Sequence, residues 1–248
     1  MPDLLTLLVA EPVVTIAYLV LGMVGFGATL VAVPMLAHVL PVTTVVPALA
    51  LTDLVASWSN GFRLSKHLVR SELYRLVPAL SIGSAFGAWV LFTLPMQLLM
   101  TLLGAFVVLY ALYGLWPRDR YALWRPLSSR WAWWYGLAGG TFSALFGGGG
   151  WVYSMYLLRR LEDPQQILAT QTAVLMFSSF IRVGLFLLAG RLLDTDLLLL
   201  ALVLLPAVGL GLYIGHHVSL RLDRRRFMQV LYGVLLLTGG SLVIRALL

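Results

Sequence analysis

The sequence contains no cysteine, which excludes disulfide bonds, thiol chemistry and cysteine-ligated metal sites. Charged residues are scarce: they make up 11% of the 248 residues, whereas a soluble domain carries about 25%. No Lys or Arg precedes the first apolar run. A cleaved signal peptide needs such a basic region, so we expect none here. These absences argue against a secreted, disulfide-stabilised domain and against an ordinary soluble one.

Apolar residues dominate what is present. Hydrophobic residues make up 60% of the chain and the mean hydropathy is +0.94. A soluble core cannot hide so much apolar surface, whereas lipid can solvate it, and a spanning helix needs roughly 20 mostly apolar residues. The sequence therefore predicts an all-α polytopic membrane protein. The predicted spanning helices cover residues 43–62, 74–94, 95–116, 165–189, 197–218 and 227–247.

Two further apolar segments, 12–40 and 131–158, are longer and are broken by glycines. Each precedes three of the predicted spanning helices, and the same order of elements occurs twice. We therefore predict an N-terminal repeat over residues 1–117, a cytoplasmic linker over 118–130 and a C-terminal repeat over 131–248. Internal repeats of this kind are common among transporters.

The basic residues predict how the repeats are oriented. If each glycine-broken segment enters and leaves on one side as a re-entrant hairpin, fourteen of the seventeen basic residues fall on one face. Two fall on the other face, and one lies within a span. The positive-inside rule expects such a bias, and the two repeats are then inverted copies. The fourteen are Arg63, Lys66, Arg70, Arg75, Arg118, Arg120, Arg125, Arg130, Arg159, Arg160, Arg221, Arg224, Arg225 and Arg226.

The alternative is eight continuous spans in which the first and fifth are only kinked at glycine. That arrangement places ten basic residues on one side and six on the other, which is a weak bias. The net charge of +7 and the pI near 10.1 could also suggest nucleic-acid binding. Because the charges lie in short loops between apolar segments, cytoplasmic loop bias explains them better, and we expect no nucleic-acid partner.

The glycine breaks are the first candidate site. Arms of about a dozen residues, such as 13–24 and 29–40, would each cross half of a ~30 Å hydrocarbon layer, so the two breaks would meet near its middle. Each second arm then begins there with free N–H groups, and two such helix N-termini form an anion site. Close helix packing is the competing explanation for the glycines. The candidates are Gly25, Gly27, Thr29, Gly147, Gly148, Gly149, Gly150 and Trp151.

Ionisable residues inside the spans are the second candidate set. Arg182 lies within 165–189 and could bind an anion through its planar guanidinium. Asp53 lies midway along 43–62 and could carry a coupled proton. The two could instead pair with each other, or Arg182 could snorkel towards the interface. Gln171 is the best polar candidate because it offers both donors and an acceptor. Further polar neighbours are Thr52, Ser57, Asn60, Thr170, Thr172, Ser178 and Ser179.

At these glycines the chain resembles the sulfite exporter TauE/SafE family, in which a glycine-rich stretch and an apolar run occur once in each half. The first copy is Gly25-Phe26-Gly27-Ala28-Thr29 with Pro34 and Leu36, and the second is Gly147–Gly150 with Leu157. Ala28 and Thr29 replace later glycines, and Tyr156 stands where the second copy would have proline. The resemblance implies export of sulfite, sulfoacetate or other organosulfonates with ion coupling.

The function predicted from these features is a secondary active exporter of small anions in the bacterial inner membrane, with proton coupling and alternating access around a midplane site. Small anionic substrate and lipid are the expected partners, a homodimer is left open, and no cofactor or metal is expected. A membrane enzyme is the first alternative, but the sequence lacks a Gly-x-Ser-x-Gly elbow and a His-Glu-x-x-His pair. A membrane assembly factor is the second alternative, and it would need a docking element that the short loops do not offer.

Overall fold

The computed structural model of the chain describes residues 4–64, 67–115, 127–218 and 224–247. Within these ranges the regular structure consists of ten α-helices and one 3-10 turn, Arg191–Leu193, without a strand. The first five helices are α1 Leu4–Val24, α2 Ala28–Leu36, α3 Val42–Leu64, α4 Arg70–Thr93 and α5 Met96–Leu115. The other five are α6 Trp131–Phe146, α7 Gly149–Leu158, α8 Pro164–Leu188, α9 Thr195–Val218 and α10 Arg224–Leu247.

Each predicted glycine-broken segment is a pair of helices, and the other six predicted segments correspond to single helices within four residues at either end. The arms differ from the predicted dozen residues: α1 has 21, α2 has 9, α6 has 16 and α7 has 10. The helix α1 starts at Leu4 because residues 4–11 contain no glycine or proline that would break it. Most of the predicted linker, residues 118–126, lies outside the described residues.

Six helices are long and apolar enough to cross a membrane: α1, α4, α5, α8, α9 and α10. The apolar part of α3, Val42–Trp58, is shorter. Lengths near 20 residues match the hydrocarbon thickness at 1.5 Å per residue. The chain is therefore a multi-pass membrane protein.

The most extensive contacts join α4 to α6 and α1 to α9. In both pairs, two glycines four residues apart lie against carbonyl oxygens of the partner helix, and a Cβ added at any of them would overlap that oxygen. Small residues at this spacing let membrane helices pack at backbone contact. Successive glycines meet successive turns of the partner, so both pairs are parallel. The facing residues are Gly83 with Leu137, Gly87 with Thr141, Gly211 with Thr15, and Gly215 with Leu19.

The helices α5 and α10 form the third large contact, and they run antiparallel. Gly104 in α5 faces Gly239 in α10, whereas Gly114, further along α5, faces Tyr232, which is earlier in α10. Each helix of the first half, α1–α5, has a counterpart in the second half, α6–α10, in the same order. When each helix is replaced by its counterpart, the α4–α6 contact becomes the α9–α1 contact, and the α5–α10 contact becomes itself.

The described basic residues other than Arg182 lie at the two ends of the helix bundle. At one end, which we call the basic end, the Leu127 N–H donates to the Arg159 carbonyl (3.2 Å), so α6 begins where α7 ends. Glu72, near the start of α4, is buried there and accepts from Arg160 (3.0 Å). At the opposite end, Arg245 donates to the carbonyl of His38 in the turn after α2 (3.0 Å).

Candidate functional site

The two glycine breaks are in contact with each other in the folded chain. Gly27 has φ +100° and Gly147 has φ +70°, which side chains disfavour and glycine adopts freely. A Cβ on Gly147 would overlap the Thr29 side chain, and Gly150 faces the Cβ of Phe26. The first turn after each break therefore packs against the other break.

Both breaks are followed by the N-terminus of a helix. Helix α2 begins at Ala28 and α7 begins at Gly149, and no side chain caps either start. The first amides of an α-helix have no intrahelical acceptor, and the helix dipole makes this end positive. Two positive helix ends therefore lie beside each other in the interior.

Asp53 and Arg182 are paired at the same place. The distance from Arg182 Nη2 to Asp53 Oδ2 is 2.8 Å, so of the alternatives left open by the sequence, pairing is the one that the structure contains. Tyr18 donates to Asp53 Oδ1 (2.7 Å), and Thr29 donates to Oδ2. Arg182 Nη1 donates to the carbonyl of Ser143 (3.1 Å). The pair joins α3 to α8 and is neutral overall.

The Arg182 guanidinium retains one donor without a partner. The residue is 2% exposed, and its Nε–H has no hydrogen-bond partner among the described residues. A buried donor without an acceptor costs about 1–3 kcal/mol, so such a group usually serves a ligand or a water. Arg182 also lines a small cavity in the interior.

We call this cavity the inner chamber; its volume is about 30 Å³. A cavity needs roughly 10–15 Å³ to hold one water, so the chamber has room for about two. A sulfur oxyanion has at least four heavy atoms and would have to widen it. The predicted residues that line the chamber are Gly27, Thr29, Asp53, Gly147, Gly150 and Arg182.

A second cavity of about 890 Å³, which we call the vestibule, lies between the chamber and the basic end. The predicted residues Gly25, Trp151 and Gln171 line it, together with Arg159 beyond them. Gln171 is 4% exposed and donates through Nε2 to the carbonyl of Gly150 (3.4 Å), next to the start of α7. The vestibule provides a route from the basic end to the glycine breaks.

Gly148 and Gly149 line neither cavity. A Cβ on Gly148 would meet the ring of Phe106, and one on Gly149 would overlap the Gly139 carbonyl. Close packing, the competing explanation given above, accounts for these two glycines.

The other predicted glycines lie on one or the other cavity, and so do Thr29, Asp53, Trp151, Gln171 and Arg182. Of the further polar neighbours, Ser57, Thr172 and Ser179 also line a cavity, whereas Thr52, Thr170 and Ser178 line neither. The side chain of Asn60 lies outside the described residues.

Sequence reasoning missed two residues of the site, Tyr18 and Ser143. Tyr18 is fully buried, and its hydroxyl is hydrogen-bonded to both Asp53 and Thr52 (2.7 Å each). Ser143 supplies the carbonyl for Arg182, and its hydroxyl bonds Ser178 (2.8 Å). A tyrosine far from both ends of a spanning helix was a usable signal, because membrane tyrosines concentrate at the interfaces.

The described residues contain no group of three His, Asp or Glu side chains that could hold a metal ion. The chamber instead combines a guanidinium, a carboxylate, hydroxyls and helix amides. These groups can bind an oxyanion and exchange a proton.

The family model described as Sulfite exporter TauE/SafE matches residues 12–242, which is nearly the whole chain. Neither the curated proteins nor the solved structures provide a match to this chain.

Proposed function

The chain belongs to the sulfite exporter TauE/SafE family, and from that premise we propose that it exports sulfite or a small organosulfonate through the inner chamber. The family consists of membrane transporters and not of enzymes, and this chain is accordingly a transporter. We place it in the bacterial inner membrane, with the basic end in the cytoplasm. The positive-inside rule supports this orientation.

One observation carries the proposal: buried Arg182, whose Nε–H has no partner among the described residues, lines a chamber that the starts of α2 and α7 adjoin. Arginine matches the oxygens of sulfite and sulfonate with parallel N–H donors. Helix N-termini add amide donors without adding a mobile cation. These are the donors that an oxyanion needs after it has lost its water.

We further propose that the halves are inverted repeats, with α1–α2 and α6–α7 as re-entrant hairpins. The exchange of α4–α6 with α9–α1 supports a two-fold relation between the halves. A two-fold axis that lies in the membrane plane reverses the direction of a helix. A helix that packs against its own symmetry counterpart therefore runs antiparallel to it, as α5 and α10 do. Inverted repeats allow the two halves to rock around a fixed central site, which is alternating access.

Proton coupling follows from the charge of the chamber. Arg182 is already neutralised by Asp53, so an added monoanion would bring uncompensated charge into a site of low dielectric constant. A proton on Asp53 would release Arg182 for the anion and keep the site neutral. We therefore propose that one proton binds with each monoanion.

The test is counterflow of labelled sulfite in proteoliposomes, with Arg191→Ala as the matched control because Arg191 lies over the Phe92 ring, away from the chamber. Truncating one member of a buried charge–ligand pair costs about 2–5 kcal/mol, so Arg182→Ala should lower anion affinity by about 30-fold or more. Arg191→Ala should leave counterflow near the wild-type level. Counterflow that survives Arg182→Ala at the wild-type rate and affinity would refute this site.

Coupling has a separate test that uses methanesulfonate, because this anion keeps one charge across the pH range of proteins. If one proton binds with the anion, the affinity should rise by up to about tenfold for each unit that the pH falls, until the anion-free site is itself protonated. Asp53→Asn should bind it with little dependence on pH. An equal pH dependence in wild type and Asp53→Asn would remove Asp53 as the proton carrier.

A further inference from the structure

The inner chamber and the vestibule are separated by a thin partition. Leu21 of α1, Ser57 of α3 and Leu175 of α8 line both cavities, so the two spaces come within one side chain of each other. Two of these three residues are aliphatic. An oxyanion that moves from the vestibule to Arg182 has to cross this partition.

Phe26 lies on the vestibule side of the partition. It lines the vestibule but not the chamber, and its Cβ packs on Gly150, which lines the chamber. The Leu175 side chain lies against the same glycine. Phe26, Leu21 and Leu175 therefore form an apolar barrier between the water-accessible vestibule and the polar chamber.

The turn that carries Phe26 is packed at one glycine and open at the other: a Cβ at Gly25 would overlap the Leu168 side chain (2.8 Å). Phe26 lies between Gly25, with φ +88°, and Gly27, with φ +100°. A Cβ at Gly27 would meet no atom within 4 Å, so this turn has open space beside it. Glycine passes between positive and negative φ at little cost, which suits a hinge.

The second break lacks this freedom. A Cβ on Gly147 would overlap Thr29, and one on Gly148 would overlap the Phe106 ring. The backbone of α7 is therefore held by its neighbours, whereas the Gly25–Gly27 turn has open space at Gly27 and meets its neighbours at Gly25 (Leu168) and at Phe26 (Gly150). The two breaks differ in packing although they resemble each other in sequence.

We infer that Phe26 is the gate between the vestibule and the chamber, and that the Gly25–Gly27 turn is its hinge. The inference rests on the proposed function for its purpose, because the gate admits the oxyanion to Arg182 and then excludes water. Movement of the ring towards the vestibule opens the chamber, and its return against Gly150 closes it. The second break stays in place as the fixed wall.

The absence of cysteine allows a direct test with one introduced thiol. Ser179→Cys places the thiol on the chamber, and Met155→Cys places one on the vestibule alone. The probe is methyl methanethiosulfonate, and the rate of modification is followed by mass spectrometry. Phe26→Ala should speed modification at Ser179→Cys about tenfold or more, because the rate follows the population of open chambers.

Two controls keep the result specific. Ile167→Ala truncates a vestibule residue away from the partition and should leave the Ser179→Cys rate unchanged. The Met155→Cys rate should be the same with and without Phe26→Ala, which also reports that the protein remains folded. Phe26→Trp, with a larger ring, should slow modification of Ser179→Cys.

Two results would overturn the gate: an unchanged Ser179→Cys rate in Phe26→Ala, or equal acceleration at both reporters, which would mean general loosening. The assay needs no substrate, so it separates the gate from the proposed function. If Phe26→Ala does not change the Ser179→Cys modification rate while counterflow still depends on Arg182, only the assignment of Phe26 as the gate is rejected. Gated accessibility without any oxyanion counterflow would reject the transport proposal instead.

Discussion

Removing one charge from the Asp53–Arg182 pair should cost far more stability than removing both. The pair is buried, with side-chain exposures of 13% for Asp53 and 3% for Arg182. Breaking a buried pair by removing one partner costs about 3–5 kcal/mol, because the other charge is left without compensation. Replacing both charges with uncharged groups of similar size is often close to neutral.

The structure sets the magnitude for each variant. Asp53→Asn keeps an acceptor for Tyr18 and Thr29 but leaves Arg182 unpaired, so its cost should be about 3–5 kcal/mol. Arg182→Met leaves the Asp53 carboxylate with both hydroxyl donors, so its cost should lie at the lower end of that range. The double variant should recover at least about 2 kcal/mol relative to the sum of the singles.

The assay is unfolding in mixed micelles with increasing SDS, followed by the fluorescence of the eight tryptophans. Arg75→Met is the matched control. Arg75 also pairs with a carboxylate (2.8 Å to Glu72), but its side chain is 44% exposed. An ion pair with such an exposed partner contributes about 0–1 kcal/mol to stability, so Arg75→Met should change the free energy of unfolding little.

Additive costs would refute the reasoning, because additivity means that the two charges do not compensate each other in the membrane. A second outcome would support the proposed site independently. Methanesulfonate should stabilise Asp53→Asn more than wild type, since the anion then replaces the missing carboxylate beside Arg182.

Two further predictions concern single positions. Gly147→Ala should destabilise the protein by more than about 1–2 kcal/mol, because its φ of +70° is unfavourable for alanine and its Cβ would overlap Thr29. Gly184→Ala is the control: it has open space around it within α8 and should be neutral or stabilising in the same SDS assay. Burial and the nearby charge of Arg245 lower the pKa of His38, so the folded state binds its proton less well than the unfolded state. Wild type should therefore lose stability as the pH falls below about 6.5, the ordinary His value, and His38→Gln should lose less over the same interval; equal losses would show that His38 does not contribute.

Much of the fold could be predicted from the sequence because lipid imposes strict rules. Spanning helices need a minimum apolar length, so composition identified α4, α5, α8, α9 and α10 as spans. The sixth long apolar helix is α1 and not α3, although the sequence predicts a span over residues 43–62. The breaks were also predictable, since Gly25, Gly27 and Gly147 adopt positive φ that other residues disfavour. The length of α1 was not, because Pro12, a residue that usually marks a helix boundary, lies inside the helix.

The candidate site was predictable in its charged members and not in their arrangement. A charge inside an apolar span is costly, and this made Asp53 and Arg182 stand out. That they pair with each other depends on α3 crossing α8, which no local pattern in either helix reveals. The carbonyl of Ser143 escaped notice for the same reason, since every residue has one.

The sequence alone determined that this chain lies in a membrane, where its helices break, and that Asp53 and Arg182 lie within apolar spans, because these properties depend on composition and local backbone preference. The tertiary structure decided which groups meet. Residues 129 positions apart form the central pair, and the two breaks pack differently although their glycines look alike. Such contacts depend on how whole helices pack in three dimensions, and helix packing is a property of the assembled bundle.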